Sequence, residues 1–281
     1  MATTTEHTTT NLVVISDTHA GSRLGICPPT GVTLDEGVTP VLSPLQLTIW
    51  DYWQEFWEWV PKILRREKFD LLHNGDAIDG HHHNSVEQMT HNLADQAEIA
   101  YCLLAPVVAK AERYYHIRGT EAHVGPSGQD EERLAKRLGA VPNKLGQYAR
   151  YDLWKQVGPG LVHALHHIGT TGSQAYEATA VHKELVESFT ESARWGYRPP
   201  DIIIRSHRHR HFETMFTTVR GSARAVVTPS WQGKTPFVWR IPGGRLAPPQ
   251  FGGVIIRWHP KDEVLYTREF VRSIGTPEVE A

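Results

Sequence analysis

The stretch "NLVVISDTHAGS", residues 11–22, joins a short apolar run to an abruptly polar sequence. Leu12 to Ile15 are apolar without interruption, which is typical of a strand that is buried on both faces. Asp17 and His19 follow at once, so the end of this strand carries a carboxylate and an imidazole two residues apart. Sites in α/β folds are built at strand ends along one edge of a sheet, so this stretch predicts both a fold class and a site.

The same pattern, an apolar strand that runs into a polar loop, returns four times along the chain. The residues that follow these strands are, in chain order, Asp76; Glu121 and His123; His166 and His167; and His207 and His209. Helical segments separate the strands in the first two thirds of the chain, and the last third is rich in strands. This order predicts an α/β fold of two packed sheets flanked by helices.

The domain organisation follows from composition. Residues 1–10, "MATTTEHTTT", have nothing to bury and are predicted to be a disordered tail. Residues 11–281 contain neither an internal repeat nor a linker, which predicts a single domain. The chain starts without a signal-peptide pattern, no apolar run reaches membrane-spanning length, and the two cysteines make no disulfide framework. A cytoplasmic location without membrane contact is expected, and the sequence does not predict the oligomeric state.

The charge balance limits the classes of partner. The 281 residues carry a formal net charge of −2, so no global basic field marks a nucleic-acid-binding protein. The unusual number is the 17 histidines. Histidine titrates near neutral pH and binds metal ions well when it is neutral.

Carboxylate and imidazole groups at five strand ends suit the divalent ions of Mn, Fe, Co, Ni or Zn. Because no cysteine lies among them, a closed structural zinc site is disfavoured. The candidates are too many for one tetrahedral ion but fit two ions that share a carboxylate, for which Asp76 is the candidate. Two ions roughly 3.5–4 Å apart stabilise both oxygens of a phosphoryl displacement. The predicted chemistry is hydrolysis of a phosphoester by a metal-bridging hydroxide that attacks in line, without a covalent enzyme intermediate.

Each motif also has an ordinary structural interpretation. A D-x-H triplet occurs by chance, Gly followed by Asp is a common turn, and a doubled histidine often has one exposed member. The run "SHRHRH" is also compatible with a solvated basic patch. The placement of all five motifs at strand ends favours a site.

The motifs in order are Asp17-Thr18-His19, Gly75-Asp76-Ala77-Ile78, Gly119-Thr120-Glu121-Ala122-His123, His166, and Ser206-His207-Arg208-His209. In type and spacing they resemble the signature of calcineurin-like metallophosphoesterases: D-x-H, G-D-x-x, G-N-H-[DE], a later His, and G-H-x-H. The resemblance covers residues 11 to about 211, and the form of the third motif is similar to that of phage-derived members. It implies a four-layer α/β/β/α sandwich of two mixed sheets flanked by helices, with residues 11–281 as one metallophosphoesterase domain.

The resemblance also implies the ligands of two divalent ions, with Mn as the first expectation and Fe, Zn, Co or Ni as alternatives. One ion would be held by Asp17, His19, Asp76 and His209. The other would be held by Asp76, His166, His207 and a ligand from the third motif. His166 is preferred to His167 because the family ligand directly ends its strand.

The third motif departs most from the family pattern. Thr120 stands where the family has a metal-binding Asn, and Glu121 stands where it has a His. We expect Glu121 near the metal and His123 as the acid that protonates the leaving group, with Asp76 as the other catalytic residue. Recruitment of His123 as a metal ligand is the alternative. Ser206 in place of the family's Gly is a small change.

The stretch "HNGDAIDGHHHNS", residues 73–85, supplies further candidates. Asp79 is expected to brace the loop or a ligand histidine. His81 is the candidate for contact with the substrate phosphate, together with Arg208, while the next two histidines are expected to form a polar rim. Residues 228–244 are expected to fold over the site, where Trp231 either stacks a nucleobase or packs in the core.

The expected substrate is a phosphodiester of nucleotide or nucleic-acid type. Two alternatives remain. The first is a phosphomonoesterase or protein phosphatase, because "GDAIDG" faintly resembles a protein-phosphatase motif that has an Arg this chain lacks. The second is a non-catalytic scaffold of the same fold, for which the altered third motif is the only support.

Overall fold

The computed structural model describes residues 9–82, 84–169, 174–241 and 244–274. Most of the predicted tail, as well as His83 and residues 275–281, lies outside these ranges. The strands are β1 (Asn11–Ile15), β2 (Asp70–Asn74), β3 (Tyr114–Ile117), β4 (Ala149–Arg150), β5 (Asp152–Val157), β6 (Gly160–Leu165), β7 (Ile202–Arg205), β8 (Phe212–Thr218), β9 (Gly221–Val227), β10 (Gln250–His259) and β11 (Val264–Ser273). The α-helices are α1 (Pro44–Ile63), α2 (Leu93–Val108), α3 (Glu121–Val124), α4 (Gln129–Arg137), α5 (Glu177–Trp195) and α6 (Pro236–Arg240).

The strands form two mixed sheets. The first has six strands in the order β11-β10-β1-β2-β3-β4, and the second has five in the order β5-β6-β7-β9-β8. In the first sheet β1, β2, β3 and β4 are parallel neighbours, and β10 runs antiparallel to β1. In the second sheet β6, β7 and β9 are parallel neighbours with an antiparallel strand at each side.

Three apolar layers hold the sheets and helices together. The side chains of β1 alternate between two of them, because Val13 and Ile15 pack under α1 and α2 while Leu12 and Val14 lie between the sheets. This explains why the first strand is apolar at every position. On the far side, Val181 of α5 packs on the second sheet. The predicted α/β/β/α sandwich is therefore confirmed.

The two long helices of the first half begin at caps that the sequence provides. Ser43 and Gln46 form a capping box at the start of α1, and Pro61 lies inside its last turn. Helix α2 starts at Leu93, where Asn92 caps it. Residues 86–92 are irregular and cross the loops of the site.

Trp231 belongs to the core and not to the site. Its side chain is fully buried, and its ring lies 4.8 Å from that of Trp53 and 5.8 Å from that of Phe56. The packing alternative for Trp231 therefore holds, and a nucleobase cannot reach its ring.

No helix in the described ranges is both long enough and apolar enough to span a membrane.

Candidate metal centre

The motif loops meet where the carboxyl ends of the parallel strands of the two sheets face each other. Asn74, the last residue of β2, joins them: its Nδ2 donates to Leu165 O at 2.9 Å and to Ser206 Oγ at 2.6 Å. Ser206 Oγ also lies 2.7 Å from Thr228 Oγ1. The serine that replaces the family's glycine therefore supplies a hydroxyl that connects the two sheets beside the last motif.

The first cluster of ligand atoms consists of Asp17, His19 and His209. Asp17 Oδ1 lies 3.3 Å from His209 Nε2 and 4.0 Å from His19 Nε2, and the two Nε2 atoms are 3.1 Å apart. Donor atoms around one ion with bonds of about 2.1 Å are separated by roughly 3.0–3.4 Å. We call these three residues the first triad, and two of their three separations lie in the range that a divalent ion requires.

Asp79 braces the first triad from behind. Its Oδ1 lies 3.3 Å from His19 Nδ1 and accepts a hydrogen bond from Gln232 Nε2 at 2.9 Å, while Gln88 Nε2 donates to Oδ2 at 2.8 Å. A carboxylate on Nδ1 fixes the His19 ring with Nε2 toward the metal position. This is the bracing role predicted for Asp79.

The second triad consists of Asp76, His166 and His207. His166 Nε2 lies 3.0 Å from Asp76 Oδ2, and His207 Nδ1 lies 4.0 Å from the same oxygen. The other nitrogen of His166 lies 2.6 Å from Asn74 O, which orients the ring. His166 is buried while His167 is exposed, so the structure places His166 and not its neighbour against Asp76.

The two triads adjoin. His166 Nε2 approaches Asp17 Oδ1 to 4.0 Å, across the boundary between them. Asp17 Oδ1 is buried, yet it accepts no hydrogen bond from any residue that the structure describes. Buried carboxylate oxygens are rarely left in this state, which is the condition that a bound cation would satisfy. The residues present therefore fit a bound divalent cation.

Backbone strain marks the same residues. Of the nine non-glycine residues with positive φ in the described chain, five belong to the triads: Asp17, His19, Asp76, His207 and His209. A left-handed backbone costs a non-glycine residue about 1–2 kcal/mol, and such strain gathers at functional sites. The loops are shaped to present ligands and not for local stability.

The structure places the third motif differently from our expectation. Thr120 donates its N–H to Asp76 Oδ1 at 2.7 Å, and its hydroxyl lies 3.2 Å from the same oxygen. Glu121 begins α3, is exposed, and belongs to neither triad in the described chain. Because a helix that starts at Glu121 directs this side chain outward, the structure gives no support to Glu121 as a metal ligand.

His123 lies at the centre without belonging to either triad. Its Nδ1 lies 2.6 Å from Asp79 O, and its Nε2 faces Asp76 Oδ2 at 3.9 Å. Burial lowers the pKa of His123 to about 4, against the opposing charge of Asp76. The imidazole is therefore neutral at pH 7 in the protein without metal, which suits a hydrogen-bond acceptor or a ligand better than the predicted acid.

The run of histidines in residues 81–83 is divided. His81 is exposed and its Nε2 lies 2.6 Å from His91 O, away from the triads, so its predicted contact with the phosphate has no support. His82 turns inward instead, with its ring 4.4 Å from that of His123 and its Nε2 3.4 Å from Asp79 Oδ2. His83 lies outside the described residues.

Arg208, the other predicted substrate contact, lines a pocket beside the triad residues His207 and His209. Its guanidinium donates to Gly169 O and lies 3.8 Å from Glu177 Oε1. Its position is compatible with contact to a phosphoryl group at the metal centre.

The site holds residues that the motifs did not indicate. Asn74 and Glu131 are buried and bind the backbone of neighbouring loops. Asn74 directly precedes the Gly-Asp motif, and a polar residue at the end of an apolar strand was the available signal. Glu131 lies on α4 and gave no signal in the sequence.

Metal affinity is expected to rise with pH. Burial opposes a charge on His166, but Asp76 and Asp17 outweigh it and raise its pKa to about 10. A ligand imidazole must be neutral, so metal binding at the second triad has to release this proton. We expect affinity for Mn²⁺ to increase about tenfold per pH unit between pH 6 and 8. Calorimetric titration in buffers of different ionisation enthalpy measures the released proton, and an affinity independent of pH would contradict the assignment.

Gly75→Ala is expected to disrupt the second triad. Gly75 has φ +92°, and an added Cβ would lie 2.4 Å from His166 Nδ1. Gly37→Ala is the matched control, because Gly37 has φ +78° with no atom within 4 Å of the added Cβ. We expect a loss of about 1–2 kcal/mol of unfolding free energy for the control and of roughly 3 kcal/mol or more for Gly75→Ala. Denaturant unfolding measures the stability of the two variants, and Mn²⁺ titration measures their metal affinity. Equal losses of unfolding free energy in the two variants would show that the loop accommodates the added Cβ at residue 75 without strain.

No family model and no curated protein matches this sequence. The fold is similar to that of Vps29 of Chaetomium thermophilum, with 11% identity and a TM-score of 0.41 over 96% of this chain and 100% of that one. It is also similar to a metallophosphoesterase of Sphaerobacter thermophilus, with 10% identity and a TM-score of 0.40 over 92% of this chain and 88% of that one. A 5'-nucleotidase of Candida albicans has 10% identity and a TM-score of 0.38, and the match spans 95% of this chain but 52% of the nucleotidase. Similarity at this level does not establish a shared activity.

Proposed function

We propose that the chain is a metal-dependent phosphoesterase of the calcineurin-like type and that it acts on phosphodiesters. The observation that carries the proposal is the meeting of two carboxylate–histidine triads at the facing edges of two sheets, 4.0 Å apart at His166 Nε2 and Asp17 Oδ1. Every residue of both triads lies in a motif that the resemblance assigns to metal binding.

Each triad would hold one divalent ion, with Mn²⁺ as the first candidate. Bound there, the pair would supply Lewis-acid stabilisation of the phosphoryl oxygens and an activated water. Asp76 is the proposed ligand common to both ions, as the resemblance implies. In the structure its Oδ2 faces His166 and His207, and Thr120 donates to its Oδ1.

The protein's own part is to position these ligands. Asp79 holds His19 by its Nδ1, and Asn74 O does the same for His166. Thr120 fixes the carboxylate plane of Asp76 through two contacts to Oδ1. His123 would accept a hydrogen bond at Nε2 or join the ligands, and Arg208 would contact a phosphoryl oxygen.

The preference for a diester rests on two pockets that flank the triads. One, of about 260 Å³, is lined by His207, His209 and Phe237. The other, of about 390 Å³, is lined by His166 and by polar residues such as Arg118 and Tyr151. A phosphodiester has two ester arms and a monoester has one. A pocket on either side of the metal positions therefore favours the diester.

Hydrolysis of bis(p-nitrophenyl) phosphate and p-nitrophenyl phosphate with added Mn²⁺ tests the proposal. We expect the diester to be cleaved at least about tenfold faster, and the activity to disappear on chelation. Faster cleavage of the monoester would change the assignment to a phosphomonoesterase. Folded, metal-loaded protein that cleaves neither ester would contradict the proposal and favour the non-catalytic scaffold.

A further inference from the structure

The pocket beside His207 and His209 has an unusual wall. Residues 232–241, which include α6, and residues 244–249 contribute to it, and we call these two ranges the strap. With Ile168 the strap gives the pocket its apolar side. The apolar residues that line it are Ile168, Phe237, Val238, Ile241, Pro248 and Pro249. At about 260 Å³ the cavity is large enough for one ring system.

The cations that line this pocket already have internal partners. Arg210 donates from Nε and Nη2 to Glu177 Oε1, at 3.2 and 3.0 Å, and Arg208 lies 3.8 Å from the same oxygen. Two guanidinium groups thus share one carboxylate, which leaves one positive charge next to the metal centre. That charge suits the single negative charge of a phosphodiester.

Lys234 also lines the pocket, and its ammonium group already has internal partners. Its Nζ donates to Arg245 O at 2.6 Å and lies 3.4 Å from the centre of the Trp239 ring, so the strap itself holds the ammonium.

The polar side chains of the pocket are similarly engaged. Gln232 Nε2 donates to Ser22 Oγ at 3.1 Å and to Asp79 Oδ1 at 2.9 Å, and Thr235 Oγ1 accepts from Val238 N at 3.4 Å. A ligand ring in this pocket would contact carbon atoms of the strap. Few side chains of the pocket would be available to form hydrogen bonds with polar atoms at the edge of the ring.

We propose that this pocket takes one arm of the substrate, and that this arm is an uncharged, flat, largely apolar ring group. The inference rests on the proposed phosphoesterase function and narrows its substrate to small-molecule phosphodiesters. An aryl group and an uncharged nucleobase both have this chemistry, and a nucleic-acid strand, with a charge at every residue, does not.

Phe237 is the specificity residue of the pocket. It lines the pocket and is 44% exposed, so its ring can stack on a ligand ring and its removal does not open the core. Trp195, at the end of α5 and 71% exposed, is not among the residues that line the pocket, and its Nε1 donates to Glu191 of the same helix. Phe237→Ala and Trp195→Ala therefore form a matched pair.

Binding of phosphonates to the Mn²⁺-loaded protein tests the inference without turnover. The probes are methylphosphonate, phenylphosphonate and 4-carboxyphenylphosphonate, titrated calorimetrically. Burial of the ring is expected to make phenylphosphonate bind at least about tenfold tighter than methylphosphonate. The added carboxylate is expected to remove this advantage. Phe237→Ala is expected to bring the phenyl-to-methyl ratio close to one, and Trp195→Ala to leave it unchanged.

The outcomes separate the two proposals. Equal affinity for methyl and phenyl probes, in protein that still hydrolyses diesters, would overturn the pocket assignment alone. Tighter binding of the carboxyphenyl probe would show that the cations of the pocket can bind an anionic group. It would overturn the proposal that the substrate arm is uncharged. If none of the probes binds and no ester is cleaved, the proposed phosphoesterase function is contradicted, and so is this inference, which rests on it.

Discussion

Asp76→Asn is expected to lower phosphodiesterase activity by roughly a thousandfold or more and to weaken metal binding. Asp76 is fully buried and its Oδ2 lies 3.0 Å from His166 Nε2. Burial opposes its ionisation, but the charge of His166 and other neighbours outweighs this and holds the pKa of Asp76 well below its usual range. The carboxylate is therefore anionic at neutral pH, and it is the only proposed ligand common to both ions. Steady-state kinetics with Mn²⁺ and a metal titration measure the two losses.

Asparagine keeps the shape of the side chain and an oxygen that can accept the Thr120 N–H, so the loop is expected to persist. The control is Asp262→Asn, in a side chain that is 70% exposed and pairs with His259. We expect activity of the control within a factor of two of wild type. An Asp76→Asn protein that retains more than a tenth of the activity would contradict a bridging role.

Glu131→Gln is expected to lower the free energy of unfolding by about 3 kcal/mol. Glu131 is fully buried on α4, where Oε1 accepts the N–H of Ala77 at 2.9 Å and Oε2 accepts that of Gly119 at 2.6 Å. His116 Nε2 lies 3.3 Å from Oε1. Glutamine has only one oxygen acceptor. Its NH₂ group would therefore lie against one of the two backbone N–H groups, which would lose its acceptor at a position that water does not reach. Ala77 follows Asp76, and Gly119 precedes Thr120, so metal affinity should fall as well.

The same substitution at Glu187, whose side chain is 58% exposed and pairs with Lys183, provides the control. We expect the free energy of unfolding to change by no more than about 0.5 kcal/mol in this control, because water solvates Lys183 when the exposed ion pair is lost. Denaturant unfolding at pH 7 gives both values. Equal effects at the two positions would mean that the buried carboxylate does not hold the two loops together.

The fold and most of the site could be predicted because their signals are local in sequence. Leu12 to Ile15 show a strand buried on both faces, and each ligand of the triads lies within four residues of a strand end. Parallel strands bring the ends of β1, β2 and β3 to one edge of the first sheet, and those of β6 and β7 to one edge of the second. The approach of Asp17 to His209 joins the two sheets, and the family resemblance, not strand order, implied it.

The predictions for His81 and Glu121, which the structure does not support, concern loops where a single backbone dihedral angle decides which side chain points inward. Gly80, with φ +68°, turns the chain so that His82 faces the centre and His81 does not. Helix α3 has only four residues, too few for a periodic pattern, so its start at Glu121 could not be predicted. Glu131 holds the loops from a helix distant in sequence, and this depends on tertiary packing alone.

The most direct test of the central claim is anomalous diffraction from crystals of the protein soaked with Mn²⁺. The account predicts two peaks about 3.5–4 Å apart, one among Asp17, His19 and His209 and the other among Asp76, His166 and His207. Full soaking that gives a single peak, or no peak within bonding distance of these side chains, would contradict a two-metal centre.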